Sequence, residues 1–300
     1  MNVKLTRRSA MALLSGLVSG VSMSSVASGL VRAAEPSAAD FVVVVMDPLA
    51  SQLSCPCVKG YAQRDYHQLG KYLSKSLDRP VQVVFSESLV KCLKEQSEGR
   101  ADLVIGKQSV VQHDVKASDR KFTELARLTD KQGKTIQTGL IVVPAEDPAK
   151  TPADLAGYQI IFGGAEAEEK HGAALALLAR HGAKPNGKLE TCASCSDGAA
   201  LIVEKGPKAK MAAVISSYAQ PLLEGCGTIQ KGDLRVVGVT EPVPFIAAFV
   251  AETVPEPEQR RVRDSLLAMA DQPQLLLALE SVAGFIPVEE AAAKKSSRSR

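Results

Sequence analysis

The sequence of 300 residues contains no tryptophan and four histidines, and its aromatic content is 4%. So few rings leave no platform on which bases or sugars could stack. Catalytic signatures are missing as well: no Gly-x-Ser-x-Gly turn, no Walker loop and no Gly-x-Gly-x-x-Gly after a strand, with Gly163-Gly164 too short to replace them. Hydrolytic and nucleotide-dependent chemistry have nothing to carry them, and no enzymatic activity is expected. Acidic residues are absent from residues 1–33, and without the cations there (Lys4, Arg7, Arg8 and Arg32) the formal charge of +3 becomes −1. Such a body does not track a phosphate backbone, which excludes nucleic acid as a partner. Beyond residue 33 no run approaches the ~18 apolar residues of a membrane-spanning helix. What is present, 45% hydrophobic and 23% charged residues, is enough to bury a substantial core.

Thr6-Arg7-Arg8 precedes an uncharged run from Ser9 to Val31, and Val31-Arg32-Ala33 puts small residues at −3 and −1 of a cut after Ala33. Residues 1–33 read as an export signal, twin-arginine-like although Ala10 and Met11 stand where that motif prefers Phe and Leu, with the general secretion route as the alternative. Export places the mature protein in the periplasm.

Phe41 to Met46 is a continuous apolar run rich in β-branched residues, the pattern of a strand buried on both faces. Tyr66, Leu69, Leu73 and Leu77 follow at helical spacing, and a second strand is expected over Val81–Phe85. A helix capped by Ser86 and a strand over Asp102–Ile105 continue the alternation. A further strand over Gln137–Val143 and a helix start at Thr151-Pro152 open a second series, with strands at Gln159–Phe162, Lys188–Thr191, Met211–Ser216 and Leu234–Val239. Another strand, Phe245–Val250, and two closing helices complete the pattern. The expected class is α/β: two lobes, 36–141 with 245–288 and 142–244, a hinged cleft and two chain crossings, at Leu140–Pro144 and Glu241–Phe249. Residues 289–300, with Lys294, Lys295, Arg298 and Arg300, read as a disordered basic tail. A monomer is expected.

Several stretches resemble the phosphate/phosphonate-type (PhnD-like) periplasmic solute-binding family of ABC importers. They are Leu69-Gly-Lys-Tyr-Leu73, Gly99-Arg-Ala-Asp-Leu103, Ala126-Arg-Leu128, Gly139-Leu-Ile-Val-Val143, Thr151-Pro-Ala-Asp-Leu-Ala-Gly157 and Phe162-Gly163. The resemblance spans about Phe41 to Val288. It implies a type II periplasmic-binding-protein fold that closes on a small solute and delivers it to an ABC permease or a membrane sensor. In that fold Lys107-Gln108-Ser109 and Ser216-Ser217-Tyr218 occupy cleft positions, as ligand contacts or as helix caps. The sequence departs from the family at Gly164 to His171, where Glu166, Glu168 and Glu169 replace the Ser and Thr that commonly hold a phosphonate. Acids at a helix start repel an anion, which argues against phosphate and phosphonate.

The six cysteines admit two readings. In an exported chain they pair as structural disulfides. Alternatively Cys55, Cys57 and Cys195, with Cys226 and His171, face the cleft and hold a soft guest such as Cu(I), Zn(II) or arsenite. Cys55-Pro-Cys57 cannot easily bridge to itself. Cys192-Ala-Ser-Cys195 lacks the His of a haem attachment site, and Cys92, beside Leu89 and Leu93, reads as a core residue.

Overall fold

The structure, a computed structural model, describes residues 40–54, 62–187, 189–192 and 194–289. The expected export signal, Cys55, Cys57 and nearly all of the basic tail lie outside them.

In chain order the strands of the first half are β1 (Phe41–Met46), β2 (Val81–Phe85), β3 (Leu103–Lys107) and β4 (Phe122–Leu128), then a short β5 (Ile136–Gln137). Between them run α1 (Tyr66–Leu77), α2 (Leu89–Glu95) and α3 (Gln108–Ala117). The chain continues through β6 (Gly139–Pro144), β7 (Gln159–Phe162), α4 (Gly172–Arg180), β8 (Glu190–Thr191), α5 (Cys195–Lys205), β9 (Met211–Ser216), α6 (Ala219–Gly225) and β10 (Leu234–Val239). It ends with β11 (Val243–Pro244), β12 (Ile246–Ala251), α7 (Glu256–Ala268), α8 (Pro273–Ala278) and β13 (Phe285–Pro287).

Two sheets organise these elements. The first has the order β13-β4-β12-β3-β1-β2, with β1 parallel to β2 and β3 and β12 antiparallel to β3 and β4. In the second the order is β10-β6-β9-β7-β8. Along β1, Phe41, Val43 and Val45 join the core that includes Leu69 and Leu73 of α1 and Val262 and Leu266 of α7. Val42, Val44 and Met46 join the opposite core with Leu89 and Cys92 of α2 and Val111 of α3. Strict alternation of side chains thus explains why every β1 residue is apolar, each buried large one contributing about 1.5–3 kcal/mol. The second sheet is covered likewise, by α4 on one face and by α5 and α6 on the other.

The chain passes between the sheets twice, and there β5 and β11 pair antiparallel, Val243 opposite Gln137. This corrects the expected crossings. Gly139–Pro144 is not a connector but β6, paired on both sides within the second sheet, so the first crossing lies at Ile136–Gln137. The second narrows to Val243–Pro244, since Ile246–Ala251 is already an interior strand of the first sheet. β4 and β13 were not anticipated as strands. The helix expected from Thr151 is a single 3₁₀ turn, Pro152–Leu155, closed by a Thr151–Asp154 capping box.

Candidate functional site

Carboxyl ends of parallel strands are where open α/β sheets present ligand groups, and both lobes obey this rule. Met46 ends β1, Lys107 ends β3 and caps α3, Phe162-Gly163 ends β7, and Ser216 ends β9. Between them lies a cleft of about 510 Å³. Much of its wall is apolar, with Met46, Leu49, Leu53 and Val110 from the first lobe facing Leu222 and Leu223 from the second. Its polar groups include Lys107, Lys170, Glu166 and the thiols of Cys195 and Cys226.

One buried network joins the lobes. Lys107 Nζ lies 2.5 Å from Glu169 Oε1, and both side chains are enclosed. Ser216 Oγ donates to the same carboxylate oxygen at 2.6 Å, and the Ser216 N–H donates to Cys195 Sγ at 3.4 Å. Beside this pair the Glu168 N–H donates to Ser109 Oγ across the lobes, 3.3 Å. Burial lowers the Lys107 pKa from its ordinary value, against the Glu169 carboxylate, which raises it. Glu169 Oε2 is buried without a hydrogen-bond partner among the described residues. Two glycines make this packing feasible. A Cβ on Gly139 would overlap the Glu169 carbonyl oxygen and stand 2.9 Å from its carbon, and one on Gly163 would stand 2.7 Å from the Lys170 stem.

Lys170 is 7% exposed, lines the cleft, and among the described residues no hydrogen bond or ion pair engages its ammonium. An ammonium at the cleft wall that no protein group engages is a donor that a solute can take up.

Behind the first-lobe wall of the cleft lies a second buried ion pair. Asp47 Oδ2 accepts from Arg64 Nη1 at 2.8 Å and from the Tyr66 hydroxyl at 2.6 Å, all three side chains being buried. Despite its burial, Arg64 is held above its ordinary pKa by the Asp47 charge. Its guanidinium sits 5.4 Å from the Phe245 ring centroid, and Phe245 stacks on Tyr218 at 5.2 Å with an interplanar angle of 21°. Tyr218 packs against the cores of both lobes, and burial, then the neighbouring Cys195 and Glu169, push its hydroxyl pKa well up.

Of the expected ligand contacts, Lys107, Cys195 and Tyr218 line the cleft, and Ser216 and Ser109 support the network behind it. Gln108 and Ser217 are turned to other tasks: Gln108 Nε2 donates to Glu124 at 3.3 Å, and Ser217 Oγ accepts from the Thr138 N–H near the crossing. The acids at 166–169 are not a dipole-compensating helix start, because Glu168–Lys170 is a 3₁₀ turn and Glu169 is ion-paired inside. His171 is not among the residues that line the cleft. Its Nδ1 lies 2.8 Å from the Gly163 carbonyl oxygen and its ring tilts against Phe162. Cys226 lies 3.1 Å from Thr228 Oγ1. Cys92, Cys192, Cys195 and Cys226 are free thiols, and no metal-holding group of three His, Cys, Asp or Glu occurs among the described residues. Sequence reasoning missed Lys170, Asp47 and Arg64. For Lys170 the one available signal was its place eight residues after Phe162, in a charge run that reads as solvated.

A family model described as the phosphonate-type periplasmic substrate-binding protein of ABC transporters matches residues 60–293. The chain belongs to this family. It is therefore a periplasmic solute-binding protein with the type II fold and not an enzyme. No curated protein matches it. Among solved structures, a Xanthomonas citri protein bound to ATP is 16% identical with a TM-score of 0.65, covering 86% of this chain and 94% of that one. PhnD1 from Prochlorococcus marinus in complex with methylphosphonate is 13% identical with a TM-score of 0.61, over 85% of this chain and 98% of that one. A binding protein component of an ABC phosphonate transporter from Pseudomonas aeruginosa is 12% identical with a TM-score of 0.59, over 85% and 86%. At these identities the likeness concerns the fold.

Proposed function

We propose that this solute-binding protein captures a small organic anion with an apolar body and passes it to an ABC permease. The observation that carries the reading is Lys170, whose ammonium engages no partner among the described residues and which lines a cleft whose wall is mostly hydrocarbon. An anionic group satisfies the ammonium while the rest of the solute displaces water from Leu49, Leu53 and Leu222, so head and tail both favour binding. Inorganic phosphate has no tail to bury and is a poor fit. The test is a thermal-shift and calorimetric panel of short-chain organic anions against inorganic phosphate. Stabilisation by the organic anions, lost in Lys170→Ala, is expected; equal stabilisation by inorganic phosphate, or an unaffected variant, would refute the reading.

A second reading rests on Cys195 and Cys226, which line the same cleft as free thiols and would suit a soft ion such as Cu(I), Zn(II) or arsenite. The same panel separates the two. Stabilisation by a soft ion that survives Lys170→Ala but not Cys195→Ser would favour the thiols.

A further inference from the structure

The buried charges around the cleft can be counted by partner. Asp47 and Arg64 pair with each other, as do Lys107 and Glu169, and Lys170 is left with no ion-pair partner among the described residues. Glu169 does not itself line the cleft; it reaches Lys107 from behind. Glu166, half-buried, and Glu87, exposed, do face the space and add negative charge to it.

We propose that Glu169 sets the charge selectivity of the cleft, restricting it to solutes with a singly charged anionic group, a carboxylate or a sulfonate, and rejecting doubly charged phosphonate. The inference rests on the reading of the cleft as an organic-anion site and specifies its substrate class. Physically, the Lys107 ammonium is already spent on Glu169 Oε1, where it shares that oxygen with Ser216 Oγ. A second negative charge entering beside Lys170 finds no second unpaired cation, because Lys107 is held by Glu169, and it meets the Glu166 and Glu87 carboxylates on the cleft wall. A single charge is matched by Lys170. Removing the Glu169 charge frees Lys107, and the buried set then offers two cations to the solute. Glu169 acts here through Lys107, as a positioning and charge-setting residue.

The experiment titrates the mature protein calorimetrically with an alkylsulfonate and an alkylphosphonate of the same chain length, at a pH alkaline enough for the phosphonate to carry two charges. The wild type is expected to favour the sulfonate by about tenfold or more, a difference of about 1.4 kcal/mol. Glu169→Gln shifts the ratio toward the phosphonate by a similar factor. In the double variant Lys107→Met with Glu169→Gln, Lys170 is again the lone cation and the sulfonate preference returns. Should either variant fail to fold, the wild-type ratio alone decides, since phosphonate binding as tightly as sulfonate overturns the proposal. A ratio unchanged in a folded Glu169→Gln also overturns it. If both probes bind equally well and both are lost in Lys170→Ala, the organic-anion reading stands and only the charge rule falls; if neither binds the wild type, that reading falls and takes the rule with it.

Discussion

Individual side chains here differ sharply in how well they could be read from sequence. Lys107 and Tyr218 were legible because they sit at or just after the ends of β3 and β9, whose apolar runs are visible in the sequence, and Cys195 because its Cys192-Ala-Ser-Cys195 spacing marks the loop after β8. Lys170 was not, because burial of a lysine depends on Gly163 lending space for its stem, a long-range fact absent from local composition. Tyr158 supplies a test of a buried hydroxyl. It donates to Asp147 Oδ1 at 2.9 Å, and burial, reinforced by that carboxylate, raises its pKa from 10.0 to about 12. The raised value means the folded state holds the proton more tightly, so this contribution to stability is full below pH 10.0 and is lost as pH rises through about 12. Tyr158→Phe should therefore lose less melting temperature than the wild type across that window; a parallel fall in both proteins would contradict the assignment. The thiols supply a second test. Cys195 and Cys226 line the cleft and Cys92 is fully buried, so mass-mapped alkylation of native protein should label the first two before Cys92, and bound solute should slow their labelling. Rapid labelling of Cys92 would be inconsistent with its packing.

For the secondary-structure elements, the apolar strands announced themselves and the polar ones did not. β1, β7 and β9 carry apolar runs that burial in a sheet interior explains, and β2 and β10 carry apolar runs at the sheet edges, whereas β4 reads Phe-Thr-Glu-Leu-Ala-Arg-Leu, with Glu124 and Arg127 joined by an ion pair at 2.6 Å that the sequence shows only as two charges. β13 is three residues long, and its strand character comes from pairing with β4. Tertiary context overrides local propensity in both. The join between β6 and the 168–170 turn makes a sharper prediction. Gly139 leaves no room for a Cβ beside the Glu169 backbone, so Gly139→Ala must push the turn away from β6. A cost of about 3 kcal/mol in urea unfolding is expected, near the upper end for overpacking because backbone cannot rotate aside. Solute affinity should fall with it, as Glu169 and Lys170 lie on the displaced turn. An alanine variant with wild-type stability would show that the turn has freedom to move.

At the scale of the whole molecule, the Lys107–Glu169 pair and the Ser109–Glu168 contact tie the lobes together, with the β5–β11 ribbon as the place to bend. Lys107→Ala leaves a buried carboxylate unpaired, a loss of about 3–5 kcal/mol, and opening the cleft to water relieves it. The radius of gyration from X-ray scattering should consequently rise in this variant without solute; no change would place the hold on the lobes elsewhere. The strand order of the first sheet also bears on how the protein is made. β12 lies between β3 and β4, yet it leaves the ribosome only after every strand of the second sheet. The usual order, in which the amino-terminal unit folds first, is therefore reversed. While the second lobe completes itself, β1, β2 and β3 wait with β3 unpaired along one edge, an apolar template offered to neighbouring nascent chains. Synthesis thus carries a built-in period of vulnerability that ends with residue 251, and holding chaperones should engage the newborn chain during that interval.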